Sequence, residues 1–332
     1  FLIFLSFNSY IKERESGRLK LLLVQGASME YVVFSKVLSI WLIGLIMLLF
    51  SICIQFIFNS NYLEIDMIIR LLFFVFSYSF YYLILVLLTI FISLALRSAT
   101  GALSLTMVVW VIWTIFLPKI IGNSVEKISP LPSRVAFQNA MDSDRSKGID
   151  GHNPSAEREG ELIKETLAKY NVNNLEELPV NFTGILMQAD EEYGNKVWDK
   201  HFGDLYTQLQ SQKMYYQLSG LFNPFVSVQN LSMASSGTDM FHHLDFLKQA
   251  ENYRRFFIKK LNNEYAFGGA KTGDRYWKAD TEFFQSVKDF SYQFPSFISF
   301  LSKYIVDIFL LFVWSFILIL STMFLSKKNT VL

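Results

Sequence analysis

The sequence predicts an all-α membrane protein that crosses the bilayer several times and carries a mainly helical domain outside it. The first observation is composition: 52% of the 332 residues are hydrophobic and 17% are aromatic, which is too apolar for an ordinary soluble domain. The second is that apolar runs of about 20 residues, the length that crosses a bilayer as a helix, recur along the chain. The third is a long stretch before the last run, in which charged and amide residues return.

Long apolar runs predict the positions of the membrane-spanning helices. The runs that qualify are Val37–Phe58, Ile68–Leu96, Ala102–Ile121 and Tyr304–Leu325. The opening stretch Phe1–Phe7 resembles the end of a fifth span. Because the chain starts inside this apolar stretch with no basic segment before it, we expect its N-terminus to be missing.

The distribution of lysine and arginine predicts the orientation of the spans. Basic residues concentrate in the segment Lys12–Lys36, at Arg97 and at the C-terminus. The link Asn59–Asp66 has no lysine or arginine, and its charged residues are both acidic. Cytoplasmic loops carry the excess of basic residues in membrane proteins. We therefore expect those three places to be cytoplasmic, and Asn59–Asp66 and the long polar stretch to be extracytoplasmic.

These expectations divide the chain into three parts. Residues 1–121 form the first part of the transmembrane domain, residues 122–297 form a helical extracytoplasmic domain, and residues 298–332 form the last span and a cytoplasmic tail. Helix start and stop signals recur in the middle part. They predict helices that start at Asn153-Pro154, Asn223-Pro224 and Thr238, and one long helix over Thr183–Leu218.

Several classes of function lack their sequence signals. The chain has no glycine-rich phosphate loop of the Walker type and no HExxH motif, and its net charge of +1 gives no footprint for nucleic acid. The only cysteine, Cys53, allows neither a disulfide framework nor a cysteine zinc site. His242 and His243 share one predicted helix with Asp239 and Asp245, which favours capping and surface hydrogen bonds over a metal site. We expect no enzyme activity, no metal and no cofactor in this chain.

The charged segment "ERESGRLKLLLVQGAS", Glu13–Ser28, is the most informative motif. An amphipathic helix on anionic lipid would explain its basic residues but not Glu13 and Glu15, which such lipid repels. A helix that carries both acidic and basic residues is better explained by contact with a protein partner than by contact with anionic lipid. Gly17 is expected to interrupt the helix, and Ser28 to cap the next one.

Five residues in the predicted spans are weaker candidates. An acid inside a span is a functional candidate by default, but Asp307 lies near the edge of the last span, where we expect it to face water. Phe74, Tyr78, Tyr81 and Tyr82 form an aromatic cluster that could line a pathway or a dimer interface, although core packing would explain each of them singly.

Glu13–Ser28 resembles the cytoplasmic coupling helix of ABC-2 type transporter permeases, which here corresponds to residues 12–28. Arg18 stands where a threonine is usual and Gly26 where a proline is usual, and both departures concern helix geometry. The stretch Asn223–Asn262 is similar to a subgroup with a large extracytoplasmic insert before the last helix, related to the nitrous-oxide-reductase maturation permease.

The resemblance implies a six-span permease subunit of the cell membrane, with the first span missing from this chain. Such a subunit pairs with a second copy or a paralogue, and it moves an unidentified substrate using ATP and Mg bound to a separate cytoplasmic ABC ATPase subunit. The residues implied to meet that ATPase are Glu13, Arg14, Glu15, Gly17, Leu19 and Leu22.

Two other classes of protein remain as alternatives. One is a membrane-anchored receptor or scaffold whose outer domain binds a partner without transport. The other is an intramembrane enzyme, which would need paired polar groups at matching depth in two spans, and the sequence shows no such pair.

Overall fold

The computed structural model describes residues 1–58, 64–96, 98–274 and 276–329. Residues 59–63 and Arg97, which carried part of the orientation argument, lie outside the described residues. The helices before the polar stretch are α1 (Leu2–Ser6), α2 (Ile11–Glu15), α3 (Arg18–Val24), α4 (Met29–Phe58), α5 (Ile65–Ala95), α6 (Ala99–Val111) and α7 (Leu117–Ile128). The later helices are α8 (Arg134–Lys147), α9 (Ser155–Tyr170), α10 (Phe182–Leu218), α11 (Pro224–Ser236), α12 (Met240–Phe267), α13 (Thr281–Gln285), α14 (Phe297–Leu301) and α15 (Ile305–Asn329).

Four helical stretches are long and apolar enough to cross a membrane. They are Met29–Ile54, Ile65–Ala95, Ala99–Ile128 and Phe297–Lys328, and they contain or overlap the four predicted runs. No strand occurs in the described part of the chain. The chain is therefore an all-α, polytopic, membrane-embedded protein. The opening stretch is helical over Leu2–Ser6.

The third span is not a regular α-helix throughout. A π-helical turn, Ile112–Phe116, joins α6 to α7. A π-turn shifts the backbone hydrogen-bond pattern by one residue, and such turns are frequent at functional sites. Hydropathy does not report this feature, because Ile112–Phe116 is as apolar as its surroundings.

Contacts at both ends of the bundle give the relative direction of the spans. Lys327, at the end of α15, lies 3.4 Å from Glu30, at the start of α4. At the other end, Asp66 in the first turn of α5 accepts a hydrogen bond of 2.7 Å from the backbone N–H of Phe297. The segment Lys12–Lys36 and the last turn of α15 therefore lie at the same end of the bundle, as the sequence predicts.

Helix α5 is central to the packing. Its side chains Ile84, Val86, Leu87 and Ile90 are fully buried, and α4, α11 and α15 all pack against it. Polar side chains in this helix bond to the preceding turn; for example, Thr89 donates to the carbonyl of Leu85 at 2.7 Å. These bonds satisfy the hydroxyls of Ser77 and Thr89, whereas the hydroxyls of Tyr81 and Ser93 are buried with no hydrogen-bond partner among the described residues.

The chain divides into two compact units that do not follow the predicted domain boundaries. The membrane unit comprises Phe1–Ile128, Gln212–His242 and Pro295–Leu332, and the second unit comprises Ser129–Ser211 and His243–Phe294. The stretch 122–297 was predicted to be one extracytoplasmic domain. The structure instead groups Gln212–His242, from its middle, with the spans.

Within the second unit, α10 and α12 approach closely at a glycine. The backbone N–H of Asn181 donates to the carbonyl of Ala266 at 2.9 Å. A Cβ on Gly184 would lie 2.5 Å from the nitrogen of Ala266, so only glycine fits there without a shift. A charged cluster also joins α8 to α10, because Lys200 and His201 lie 2.7 and 2.8 Å from the carboxylate of Asp144. The hydrogen bond from Lys200 is the main cause of the lowered pKa of Asp144.

Helix signals in the sequence predicted most of the later helices correctly. The long helix over Thr183–Leu218 is confirmed as Phe182–Leu218. The Asn223-Pro224 signal is also confirmed: Pro224 is the first residue of α11, and the Asn223 side chain accepts from the N–H of Phe225. Gly237 ends this helix with φ of 68°, a conformation that favours glycine.

Two capping predictions need correction. Thr238 does not cap α12, because the carboxylate of Asp239 accepts the N–H of His242 at 3.1 Å and so occupies that position. The start predicted from Asn153-Pro154 is wrong by one residue. Helix α9 starts at Ser155, and Pro154, predicted to be its first residue, is its N-cap and makes no side-chain capping bond.

Candidate functional site

The charged segment forms two short helices at one end of the membrane unit. Gly17 separates α2 from α3 with φ of 73°, which confirms the predicted interruption. Ser28 accepts the N–H of Tyr31 at 3.3 Å and so caps α4 as predicted. Ile11 is fully buried and Leu19 is 6% exposed, so both helices are anchored to the bundle by apolar side chains.

The predicted coupling residues have different surroundings. Glu13 forms an ion pair of 2.7 Å with Lys36 of α4, and the guanidinium of Arg14 lies 5.8 Å from the ring centre of Tyr10. Glu15 is exposed, whereas Leu22 is only partly exposed. Glu13 therefore links the segment to a span within the chain, and Glu15 lies at the surface.

Exposed apolar side chains follow Glu15 along the chain. Leu21 is 64% exposed, Val24 86% and Tyr31 79%. These residues follow one another through α3 and the first turn of α4. An exposed carboxylate and several exposed apolar side chains within one short segment are residue types that docking sites for protein partners use.

The aromatic group on α5 packs mainly within the membrane unit. The rings of Phe74 and Tyr78 lie 4.5 Å apart, and Tyr81 is 6% exposed and lies 6.0 Å from the ring of Phe225 in α11. Tyr82 lines an apolar cavity of about 480 Å³ that Trp110, among others, also lines. The structure thus gives Tyr81 a packing role and places Tyr82 at a cavity.

The prediction that Asp307 faces water is wrong. Asp307 is 0% exposed, and its carboxylate accepts 2.6 Å from Gln217 and 2.8 Å from Asn230. Lys213 donates to the side-chain oxygen of Asn230 at 2.6 Å. We call Asp307, Gln217, Asn230 and Lys213 the polar cluster. Burial of a carboxylate is tolerated here because both oxygens receive hydrogen bonds.

A second buried group of charges, at the opposite end of the bundle from Glu13, was not predicted. Arg70 is 8% exposed and donates 2.7 Å to Asp66 and 2.7 Å to the carbonyl of Pro295. It also lies 3.3 Å from the carbonyl of Ala234 and 3.3 Å from a ring nitrogen of His242. One guanidinium thus joins the start of α5 to the end of α11, the start of α12 and the segment before the last span. The only sequence signal was an arginine at the edge of an apolar run.

The histidine pair has two different surroundings. His243 is exposed, as expected for surface hydrogen bonding. His242 is 2% exposed, bonds through its other ring nitrogen to the carboxylate of Asp239, and stacks on Phe300 at 4.6 Å. A surface position for His242 is therefore wrong, whereas the capping role of the neighbouring Asp239 is confirmed. Among the described residues, no group of three or more His, Cys, Asp or Glu side chains is placed to hold a metal ion.

Together these features define an all-helical membrane-embedded protein with two buried polar groups and a charged segment at one end. Residues 1–147 match a family model described as "Protein of unknown function (DUF2705)". Residues 134–293 match a family model described as "Domain of unknown function (DUF3526)". No curated protein and no solved structure matches the chain.

Proposed function

We propose that this chain is the membrane-spanning permease subunit of an ATP-binding cassette transporter, driven by a separate cytoplasmic ATPase subunit. The observation that supports this most is the segment Ile11–Val24. In this segment Glu15, Leu21 and Val24 are exposed and can contact a partner. Glu13 and Ile11 connect the segment to the spans, the first through its ion pair with Lys36 and the second by burial.

The ion pair between Glu13 and Lys36 gives this segment a way to move a span. Lys36 lies in the second turn of α4, so a displacement of α2 acts on that helix through the ion pair and through the buried Ile11 and Leu19. The pair is partly buried, with side chains 28% and 17% exposed. Water therefore screens it less than a fully exposed pair.

Docking and transmission are thus separable in this proposal. Glu15 contributes to the affinity for the ATPase, and Glu13 contributes to the transfer of movement from the ATPase to α4. Truncating one member of a charged pair at an interface costs about 2–5 kcal/mol when the pair is desolvated.

Affinity purification of the full chain from its native membrane tests the proposal. We expect an ABC ATPase subunit among the recovered proteins. Glu15→Ala should reduce its recovery about tenfold or more, whereas Glu126→Ala, which removes an exposed acid near the far end of the third span, should leave recovery unchanged. Recovery of other partners without any ATPase would instead favour the receptor or scaffold.

A second experiment separates transmission from docking. Glu13→Lys should keep the ATPase bound but reduce the ATP hydrolysis that is coupled to the permease, because two lysines then face each other. The double exchange Glu13→Lys/Lys36→Glu should restore coupling. Unchanged coupling in Glu13→Lys would contradict the role of this ion pair.

The orientation of the spans is part of the proposal. In a Cys53→Ser background, single cysteines at Ser16 and Ser143 can be probed on intact cells with an impermeant thiol reagent. We expect labelling at Ser143 only. Labelling at Ser16 alone would reverse the orientation and remove the ATPase from the proposal.

A further inference from the structure

His242 lies between two side chains of opposite charge. One ring nitrogen, Nδ1, bonds to the carboxylate of Asp239, three residues earlier in the chain. The other, Nε2, lies 3.3 Å from a terminal nitrogen of the Arg70 guanidinium. The ring also stacks on Phe300, with 4.6 Å between the ring centres, and the residue is only 2% exposed. We call His242, Asp239, Arg70 and Phe300 the histidine junction.

The donors and acceptors of the histidine junction determine where the ring carries its proton. A guanidinium has N–H donors and no acceptor, so the ring nitrogen that faces Arg70 has to be the unprotonated one. The ring proton then lies on Nδ1, which donates it to the carboxylate of Asp239. In the assembled junction His242 is therefore neutral, with a negative group on one side and a positive group on the other.

A second proton on His242 is disfavoured by these surroundings. The attraction of a charged ring to Asp239 and its repulsion from Arg70 have opposite signs and act over similar short distances, so they largely cancel. Burial then decides, because moving a charge out of water is costly unless it is compensated. Protonation would also set two N–H donors against each other across the contact of 3.3 Å.

Further charges around the junction come from other helices and act on both of its charged ends. Asp66 of α5 accepts from Arg70 at 2.7 Å, and Lys213 of α10 acts on Asp239 at longer range. Lys303 lies 5.6 Å from the ring centre of the residue before the histidine. The end of α11 and the segment before the last span contribute backbone carbonyls to the guanidinium. Among these groups, histidine is the type that ordinarily changes its charge between pH 5 and 8.

We propose that the histidine junction is a pH-sensitive switch, which is closed while His242 is neutral and opens when His242 takes up a second proton. In the open state the ring reaches water, which solvates its charge. Because the open state binds one more proton than the closed state, a fall in pH shifts the equilibrium toward opening. The switch does not require transport, since all of its side chains belong to the membrane unit.

The junction connects four parts of the membrane unit at one point. Asp239 caps the start of α12, and Arg70 belongs to α5. The same guanidinium binds the carbonyl of Ala234 at the end of α11 and that of Pro295 before the last span, at 3.3 and 2.7 Å. Phe300 lies in α14, which leads into the last span. A change of charge on one ring therefore loosens the start of α12 and the entry to the last span together.

Proton linkage gives the size of the effect. A histidine in water has a pKa of about 6.5. When the open state alone takes up the proton, the opening equilibrium rises about tenfold between pH 7.5 and pH 5.5.

Hydrogen–deuterium exchange of the full chain in lipid nanodiscs tests the switch. The peptide to follow covers residues 295–301, because its sequence is the same in every variant compared below. Its rate is corrected for the intrinsic pH dependence of amide exchange. We expect the corrected rate to rise about tenfold from pH 7.5 to pH 5.5. A rise of less than about threefold, or a fall, would overturn the proposal.

His242→Gln and His243→Gln form a matched pair of variants. Each removes one titrating ring from the start of α12, but His243 is exposed and lies outside the junction. We expect His242→Gln to lose the pH dependence and His243→Gln to keep it. A pH dependence that persists in His242→Gln, or that disappears in His243→Gln, would contradict the assignment to His242.

Arg70→Gln distinguishes the switch from a loss of packing around the histidine. This variant removes the charge that opposes protonation, so the attraction to Asp239 is no longer cancelled. Exchange should be faster at every pH because the junction is weaker, but the change between pH 7.5 and pH 5.5 should fall below about threefold. A change that stays near tenfold would show that Arg70 does not exclude the proton.

Nitrogen-15 NMR of histidine-labelled protein tests the protonation state with the junction intact. The chain has four histidines, and the variant His152→Gln/His201→Gln/His243→Gln leaves only the signals of His242. These three replacements all lie in the second unit. At pH 7.5 we expect a protonated Nδ1 and an unprotonated Nε2. A ring that is protonated on both nitrogens, or on Nε2 alone, would overturn the proposal.

Discussion

The guanidinium of Arg70 should contribute more to the stability of one end of the bundle than any other single polar side chain there. The variant to compare is Arg70→Met, which keeps most of the side-chain volume and removes the donors. Two of its hydrogen bonds are short, 2.7 Å to Asp66 and 2.7 Å to the carbonyl of Pro295, and two contacts of 3.3 Å are marginal.

The magnitude follows from the short bonds. Breaking a buried ion pair by removing one partner costs about 3–5 kcal/mol. Asp66 is 30% exposed and keeps hydrogen bonds from Phe297 and Ser296 when Arg70 is replaced. Its charge is therefore left only partly unpaired, and the cost should lie at the lower end of that range. We expect the free energy of local opening to fall by about 3 kcal/mol, which is about a hundredfold in the opening equilibrium.

Hydrogen–deuterium exchange of the full chain in lipid nanodiscs measures this opening directly. Peptides that cover residues 234–242 and 295–301 should exchange about a hundredfold faster in Arg70→Met. Arg70→Lys should give a smaller effect, because an ammonium cannot reach Asp66 and Pro295 with a rigid fork. The control is Arg18→Met, an exposed arginine at the opposite end. A change of less than about threefold in Arg70→Met would refute the reasoning.

Three further predictions concern the second unit. Gly184→Ala should destabilise it by about 1–3 kcal/mol or more, because the new Cβ meets the backbone of Ala266, and protease resistance of the full chain should fall. The matched variant Gly160→Ala, in an open position of α9, should raise resistance slightly, by about 0.5–1 kcal/mol; a loss as large as in Gly184→Ala would contradict the steric argument. The lowered pKa of Asp144 means that its stabilising effect is present above its unfolded pKa and is lost as pH falls through the folded value, below about pH 4. Because the partners are partly exposed, the loss is about 1 kcal/mol, and Asp144→Asn should remove the pH dependence of exchange in α8 below pH 4.

Local signals account for what the sequence predicted correctly. The spans follow from continuous apolar runs, and the bounds of α10 and α11 follow from a proline, an asparagine cap and Gly237. The split of the charged segment follows from Gly17. Each of these signals acts within a few residues of the element that it predicts.

The candidate site could be predicted only in part, because its partners are distant in sequence. The residue type and position of Glu13 suggested an outside partner, but Lys36 lies 23 residues away, and nothing local indicates that pairing. Arg70 contacts atoms of residues 164, 172 and 225 positions away. Without knowledge of the tertiary fold, an arginine at the edge of a span is expected to reach for water or for lipid headgroups.

The wrong expectation that Asp307 faces water has a single physical cause. Hydropathy adds the cost of moving each side chain alone from water to lipid, and Lys213, Gln217, Asn230 and Asp307 are each expensive on that scale. The cost falls sharply when four such side chains satisfy one another, as they do here within 2.6–2.8 Å. Because these partners come from a distant part of the chain, Asp307 is predicted to face water although the fold buries it. An acid within an apolar span, such as Asp307, can be buried only where another part of the chain supplies hydrogen-bond donors. A polar segment elsewhere in the sequence is therefore to be expected beside such an acid.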